Sequence, residues 1–229
     1  EVYLRLIERM LAAGKQVLLL VPEINLTPQL EGRVRARFPE SMVVSLHSEL
    51  AEAARERNWR AAFSGEARIV LGTRLAIFTP LPRLGLIVVD EEHDSSFKQQ
   101  DGMRYSARDV AVFRARLLGI PVLLGSATPS LESWANAQGK RYGLIALHER
   151  ANPQAALPAV HLLDTRKMLL ADGVSEPLMA AIGARLERGE QSLIFLNRRG
   201  YAPVLACAAC SWVSRRQRCA ANLVLHLAD

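Results

Sequence analysis

Short runs of Val, Leu and Ile alternate along this chain with segments in which apolar residues recur every three or four positions. That alternation limits the fold more than any other feature. The runs read as strands at Val17–Val21, Met42–Leu46, Arg68–Leu71, Leu86–Asp90, Val122–Gly125 and Ser192–Leu196. The helix-period segments are Val2–Ala13, Thr27–Arg37, Glu49–Ser64, Ala107–Leu118, Leu131–Ala137 and Pro177–Glu187. Strands separated by helices pair in parallel, because a parallel crossover needs about a helix's length of chain. The runs are continuously apolar, as strands covered on both faces are. The expected fold class is α/β, a parallel sheet with helices on both faces. Residues 139–173 are less regular, with Pro153, Pro158 and an isolated apolar stretch at Val160–Asp164. They read as a connection to a second α/β lobe that starts near Ser175 and shows only its first helix and strand.

The 29 Lys and Arg exceed the 23 Asp and Glu, giving a net charge of +6. A basic chain favours a polyanionic partner, but most of these cations are Arg, so biased composition is an equal explanation. No apolar run approaches the roughly 20 residues that span a bilayer, so no membrane partner is expected. The opening EVYLRLIERMLAAG is an amphipathic helix, not a basic-then-apolar leader. The 3 cysteines lie between Cys207 and Cys219 and do not suggest a disulfide framework. The expected location is the cytoplasm. Glu1 already sits inside a helical pattern, and the closing LVLHLAD stops in an apolar alternation. Both ends read as cuts through a larger protein.

The run LIVVDEEHD, Leu86–Asp94, places four carboxylates and a histidine at a strand end. Ligands of doubly wound sheets gather at the carboxyl ends of strands. An Asp there can hold Mg²⁺, and a neighbouring Glu can polarise an attacking water in phosphoryl transfer. Asp90 and Glu91 have those types in that order; a solvated acidic loop is the alternative. In LLGSATPS, Ser126 and Thr128 can bond a carboxylate or phosphate, or simply cap the next helix. Glu23, Asn25, Thr27 and Gln29 follow one strand, and Thr73 and Arg74 follow another. These suit phosphate contacts, or are ordinary capped turns.

Taken in order, LVPEINLTPQ, GTRLAIFTP, DEEHDSSFKQQDGMRY and GSATPSLES each stand at a strand end, and FLNRRGYAP and CAAC follow. Over essentially the whole chain this resembles the replication-restart helicases, superfamily 2 DNA helicases of the DEAH type. The resemblance implies a RecA-like lobe at 1–140, an inter-lobe connection at 141–174, the start of a second RecA-like lobe at 175–204, and a zinc-binding type of insertion at 205–229. It implies ATP-dependent 3′-to-5′ unwinding of DNA at stalled or repaired forks. The partners would be single-stranded and forked DNA, primosome proteins and single-stranded DNA-binding protein, and the location the nucleoid-associated cytoplasm. Carried over by position, Asp90 would coordinate Mg²⁺ and Glu91 would activate water. Glu92 and His93 would complete the catalytic box, with His93 coupling the nucleotide site to the rest. Ser126 and Thr128 would link hydrolysis to strand movement, and Thr73 and Arg74 would touch the DNA backbone. The segment Asp94–Tyr105 would be a loop that senses single-stranded DNA. Phe97 and Tyr105 there could stack on bases while Lys98 and Arg104 meet phosphates; Met103 stands where an aromatic is usual. A surface lid without DNA contact is the alternative.

The family's zinc insertion implies paired cysteines. Cys207 and Cys210 form one half-site, but Arg216 stands where the next Cys is expected, Ser211 replaces a usual Gly, and Cys219 is alone. Four ligands make a structural site; His226 could supply the fourth at an unfamiliar spacing. The expectation is no stable zinc and an exposed, poorly ordered tail. A Gly-rich phosphate loop ending in Gly-Lys-Ser or Gly-Lys-Thr is absent: the Gly-Lys pairs are Gly14-Lys15 and Gly139-Lys140. By resemblance the chain starts just after that loop and ends before the late motifs that supply an arginine finger, so it is expected not to hydrolyse ATP alone. Two other readings stand beside the helicase: a non-catalytic DNA-binding or protein-interaction module, and a translocase on duplex DNA.

Overall fold

A computed structural model describes residues 1–22, 28–149, 158–168, 170–171, 173–195, 207, 210 and 212–214. The contacts divide the chain into two units, Glu1–His148 and Glu149–Asp229.

The first unit alternates helices and strands: α1 (Val2–Ala12), β1 (Gln16–Leu20), α2 (Pro28–Arg37), β2 (Val43–Leu46), α3 (Glu52–Ser64), β3 (Ile69–Gly72), β4 (Leu84–Val89), α4 (Ala107–Leu118), β5 (Val122–Leu124) and α5 (Leu131–Gln138). Two 3₁₀ turns, Arg74–Phe78 and Ser95–Phe97, follow β3 and β4. The strands form one sheet in the order β2-β3-β1-β4-β5, and every pairing is parallel. The expected α/β class with a parallel sheet is therefore observed.

Alternation of side chains along each strand explains why helices cover both faces. On one face Leu18, Leu20, Val70, Ile87 and Val89 pack with Ala61 and Ala62 of α3 and Ala107, Ala111 and Ala115 of α4. On the other, Val17, Leu19, Ile69, Leu71, Leu86 and Val88 pack with Ile7 of α1 and Val34 of α2. Each fully buried aliphatic side chain contributes roughly 1.5–3 kcal/mol. The small alanines of α3 and α4 let those helices lie close to the sheet. After β3 the chain crosses β1 to lay down β4 and β5, so the strand order reverses between β1 and β4. Crevices for ligands open at such points.

One buried polar residue ties the near end of the sheet together. Gln16 is fully buried. Its Nε2 donates to the carbonyls of Ala62 (2.9 Å) and Ala67 (2.8 Å), and its Oε1 accepts from the Arg83 amide (2.9 Å). Three loop or helix-end groups that no strand could pair are satisfied by one amide.

The element boundaries differ from the sequence expectation at specific points. α3 begins at Glu52 and not Glu49, because Leu50 N–H closes a turn onto the His47 carbonyl and Ala51 is extended (φ −54°, ψ 141°). The expected strand at Ser192–Leu196 is not seen over residues 192–195, which have no strand partner among the described residues; Leu196 lies outside them. In the second unit a short antiparallel pair, β6 (Leu170–Ala171) with β7 (Val174–Ser175), precedes α6 (Glu176–Leu186). Strands of two residues are too short to show an alternation in the sequence. Glu23, Asn25 and Thr27 of the segment after β1 lie outside the described residues. No described helix is long and apolar enough to cross a membrane.

Replacing Gln16 by Leu keeps the volume but strands the Ala67 carbonyl and the Arg83 N–H, while the Ala62 carbonyl keeps its bond from the Gly65 amide. The expected cost is at least about 2 kcal/mol, read as a lower urea midpoint with an unchanged denaturant slope.

Candidate active site

The acidic turn sits where β4 ends beside β1 and β5. The Asp90 amide donates to the Leu20 carbonyl (2.9 Å), the Gly125 amide to Val89 (2.8 Å), and the Glu92 amide to Gly125 (3.0 Å). Between these anchors Glu91 adopts a left-handed backbone, φ 49°. That conformation is strained for a residue other than Gly and persists only where its surroundings impose it. The reversal sends Asp90 and Glu91 to the accessible side and Glu92 inward.

Glu92 is the buried member, with 1% of its side chain exposed. Its Oε1 accepts from the Ser130 amide at 2.7 Å. Its Oε2 accepts from the hydroxyls of Ser130 (3.1 Å) and Ser133 (2.8 Å) and from Arg108 Nη1 (3.2 Å). Burial alone would raise its pKa. The Ser130 amide, the two hydroxyls and Arg108 outweigh that and hold the carboxyl below its usual range. Arg108 is nearly as buried, and also donates to Ser130 Oγ (2.7 Å) and Asp109 Oδ1 (2.8 Å). The sequence reading gave Glu92 a catalytic place. The structure places the carboxylate away from solvent, occupied by donors from α4 and α5, where it anchors the turn.

His93 points to the end of β5. Its Nδ1 lies 2.7 Å from Ser126 Oγ and 3.6 Å from Glu91 Oε2, and its Nε2 lies 3.4 Å from Thr128 Oγ1. The Thr128 amide in turn donates to Ser126 Oγ at 3.0 Å. The two hydroxyls are thus on His93, and the cap of α5 is Ser130, whose Oγ accepts from the Ser133 amide. Asp90 accepts from the Tyr3 hydroxyl at 2.8 Å. Burial, then this bond, push the Tyr3 pKa upward. Glu91 is part-exposed and makes no hydrogen bond through its side chain among the described residues. Asp90 Oδ2 has no hydrogen-bond partner among the described residues, and a carboxylate oxygen of that kind is chemically suited to a hard cation such as Mg²⁺ that takes its remaining ligands from water and phosphates.

The loop that follows is turned inside out relative to the expectation. Phe97 is 1% exposed and lies in the core with Ala107 and Ala111. Tyr105 is half-buried, edge-on to Phe78 (centroids 5.0 Å apart, planes at 70°), with its hydroxyl buried. Phe97 is thus placed in the core and Tyr105 partly against Phe78: an aromatic in a tight turn against an apolar sheet face gains by burial. Lys98 and Arg104 are exposed, as is Met103. The ends of the loop are joined by a Lys98–Ser106 bridge. Thr73 is buried at 3% exposure. Arg74 Nη1 donates to the Ser96 (3.1 Å) and Lys98 (3.2 Å) carbonyls, so it braces the loop from β3. Sequence reasoning missed Tyr3, Arg108, Ser130 and Ser133 as parts of the site. A signal existed only for Arg108, a cation in the first turn of a helix, where the dipole disfavours it.

Cys207 is half-buried and Cys210 exposed; Ser211, Arg216, Cys219 and His226 lie outside the described residues. No group of three or more potential metal-ligating side chains is found among the described residues.

Breaking the anchor removes the buried counter-charge of Arg108 and leaves it only the exposed carboxylates of Asp109 and Glu132. Glu92→Gln is expected to cost roughly 3 kcal/mol at pH 7. The folded carboxyl titrates below its ordinary 4.5. The network's stability is therefore full above that value and is lost as pH falls through the folded pKa. The gap between wild type and Glu92→Gln in urea titrations should narrow below pH about 4.5 and stay constant above it.

A family model described as DEAD/DEAH box helicase matches residues 1–137. The chain is 48% identical over 226 residues to Replication restart protein PriA of Haemophilus influenzae, covering 99% of this chain and 31% of that protein. It is 42% identical over 229 residues to Replication restart protein PriA of Bacillus subtilis, covering 99% of this chain and 28% of that protein. The chain thus spans under a third of the length of these relatives. Among solved structures, the C-terminal part of the Fun30 ATPase domain aligns with a TM-score of 0.42 and 14% identity over 64% of this chain and 46% of that one, too weak a likeness to argue from. With the helicase model matched across more than half of its residues, the chain belongs to the DEAD/DEAH box helicase family.

Proposed function

We propose that this chain is the core of an ATP-driven DNA helicase of replication restart, one that moves 3′ to 5′ on single-stranded DNA at stalled or repaired forks and acts with primosome proteins. The observation that carries the reading is the acidic turn at the switch point of the sheet, hydrogen-bonded through His93 to Ser126 and near Thr128. The relatives' printed name, Replication restart protein, supports the biological setting.

The geometry supports these roles. Asp90 would hold Mg²⁺, which supplies charge neutralisation on the phosphates when bound. Glu91, accessible and not hydrogen-bonded by the described residues, would take a proton from the attacking water. His93 reads the positions of Ser126 and Thr128, so a shift at the end of β5 alters the turn. DNA would meet exposed Lys98 and Arg104 on the loop that Arg74 braces.

In the full-length protein, Glu91→Gln is expected to lower DNA-stimulated ATP hydrolysis by roughly 100-fold or more while leaving single-stranded DNA binding intact. No hydrolysis by the wild-type full-length protein would sink the reading in favour of a non-catalytic module, and equal hydrolysis in the variant would remove Glu91 from the chemistry. A strand-displacement assay on forked DNA of each polarity distinguishes a 3′-to-5′ helicase from a duplex translocase. Lys98→Ala with Arg104→Ala should weaken binding of single-stranded DNA and reduce its salt dependence by about one unit of log–log slope per lost phosphate contact.

A further inference from the structure

Asp90 is held by a residue that none of the strand-end motifs contains. Tyr3 lies in the first turn of α1, and its hydroxyl donates to Asp90 Oδ1 at 2.8 Å across 87 positions of chain. The helix that carries it is not a loose terminus: Ile7 is fully buried, and Leu4, Met10 and Leu11 pack on the same cluster under the sheet. The ring is therefore placed by a packed helix.

The opposite strand end leaves room for that hydroxyl. A Cβ at Gly125 would lie 1.7 Å from the Tyr3 hydroxyl oxygen and 2.9 Å from its Cζ, far inside contact distance. Gly125 is not among the positive-φ glycines. Space, not backbone freedom, is what its missing side chain supplies. Gly125 also accepts from the Glu92 amide and donates to the Val89 carbonyl, so it could not shift aside without moving the acidic turn. Among the described residues, Tyr3 supplies the hydrogen bond to the Asp90 carboxylate, and Oδ2 is left open.

We propose that Tyr3 is a positioning residue for the cation-binding carboxylate: it fixes the orientation of Asp90 through Oδ1, keeps Oδ2 available to a divalent cation, and occupies the space that Gly125 vacates. The inference rests on the nucleotide-hydrolysing reading above. Hydrogen-bond partners behind a metal-binding carboxylate set its direction and basicity, and their loss typically weakens metal binding 10- to 100-fold.

The test uses the full-length protein, with Mn²⁺ as a spectroscopically visible stand-in for Mg²⁺ and ADP as the nucleotide. Tyr3→Phe removes one oxygen and keeps the packed ring. Its Mn²⁺ affinity in the presence of ADP is expected to fall about tenfold, with ADP affinity measured without divalent cation unchanged. Gly125→Ala, which keeps the hydroxyl but displaces it, should show the same loss; if it fails to fold, Tyr3→Phe decides alone. Wild-type Mn²⁺ affinity in Tyr3→Phe overturns the proposal. So does a matching loss of metal-free ADP affinity, which marks a general disturbance of the site. A wild-type protein that binds no Mn²⁺ with ADP overturns the hydrolytic reading and the proposal with it.

Discussion

The buried carboxylate of Glu92 is the interaction on which the rest of the site depends. An ionised group removed from water is costly unless its oxygens are occupied, and here four donors occupy them. Those donors come from the first turn of α4 and the cap of α5, so a single charge fixes the turn after β4 to two helices. The strained backbone at Glu91 is a consequence. A residue can be held in a left-handed conformation when the residues before and after it are pinned, and both Asp90 and Glu92 are pinned through their amides.

The same logic orders the surroundings. Arg74 spends its guanidinium on two carbonyls of the following loop, and Phe97 anchors that loop from below. The apolar residues of the loop therefore hold it to the core, while its cations remain outside. A loop built in this way presents charge to a ligand and keeps its shape by burial, which reverses the division of labour that its composition suggested.

Much of the fold was legible because its signals are periodic. Continuous apolar runs placed β1 to β5 within a residue or two, and the helical period placed α4 at Ala107–Leu118. The acidic turn was legible as chemistry, since Asp90, Glu91 and His93 stand at a strand end. The place of Glu92 was not, because neighbouring carboxylates in a string of letters have no inside and outside. Phe97 and Tyr105 are ambiguous in sequence for a related reason. An aromatic among polar residues has the composition of a stacking surface and equally that of a buried plug, and only the packing of α4 on β4 decides between them.

The sequence by itself determined the α/β alternation, the two-faced burial of the strands and the types of residue at the strand ends. These follow from local period and from side-chain chemistry, which need no knowledge of distant neighbours. Tertiary structure alone decided that Tyr3 reaches Asp90, that Arg108 meets Glu92, and that Gln16 joins three separate segments. Those pairs are separated by tens of residues or turned by a single backbone angle. Their partners are selected by which surfaces the packed helices bring together, and no local pattern encodes that choice.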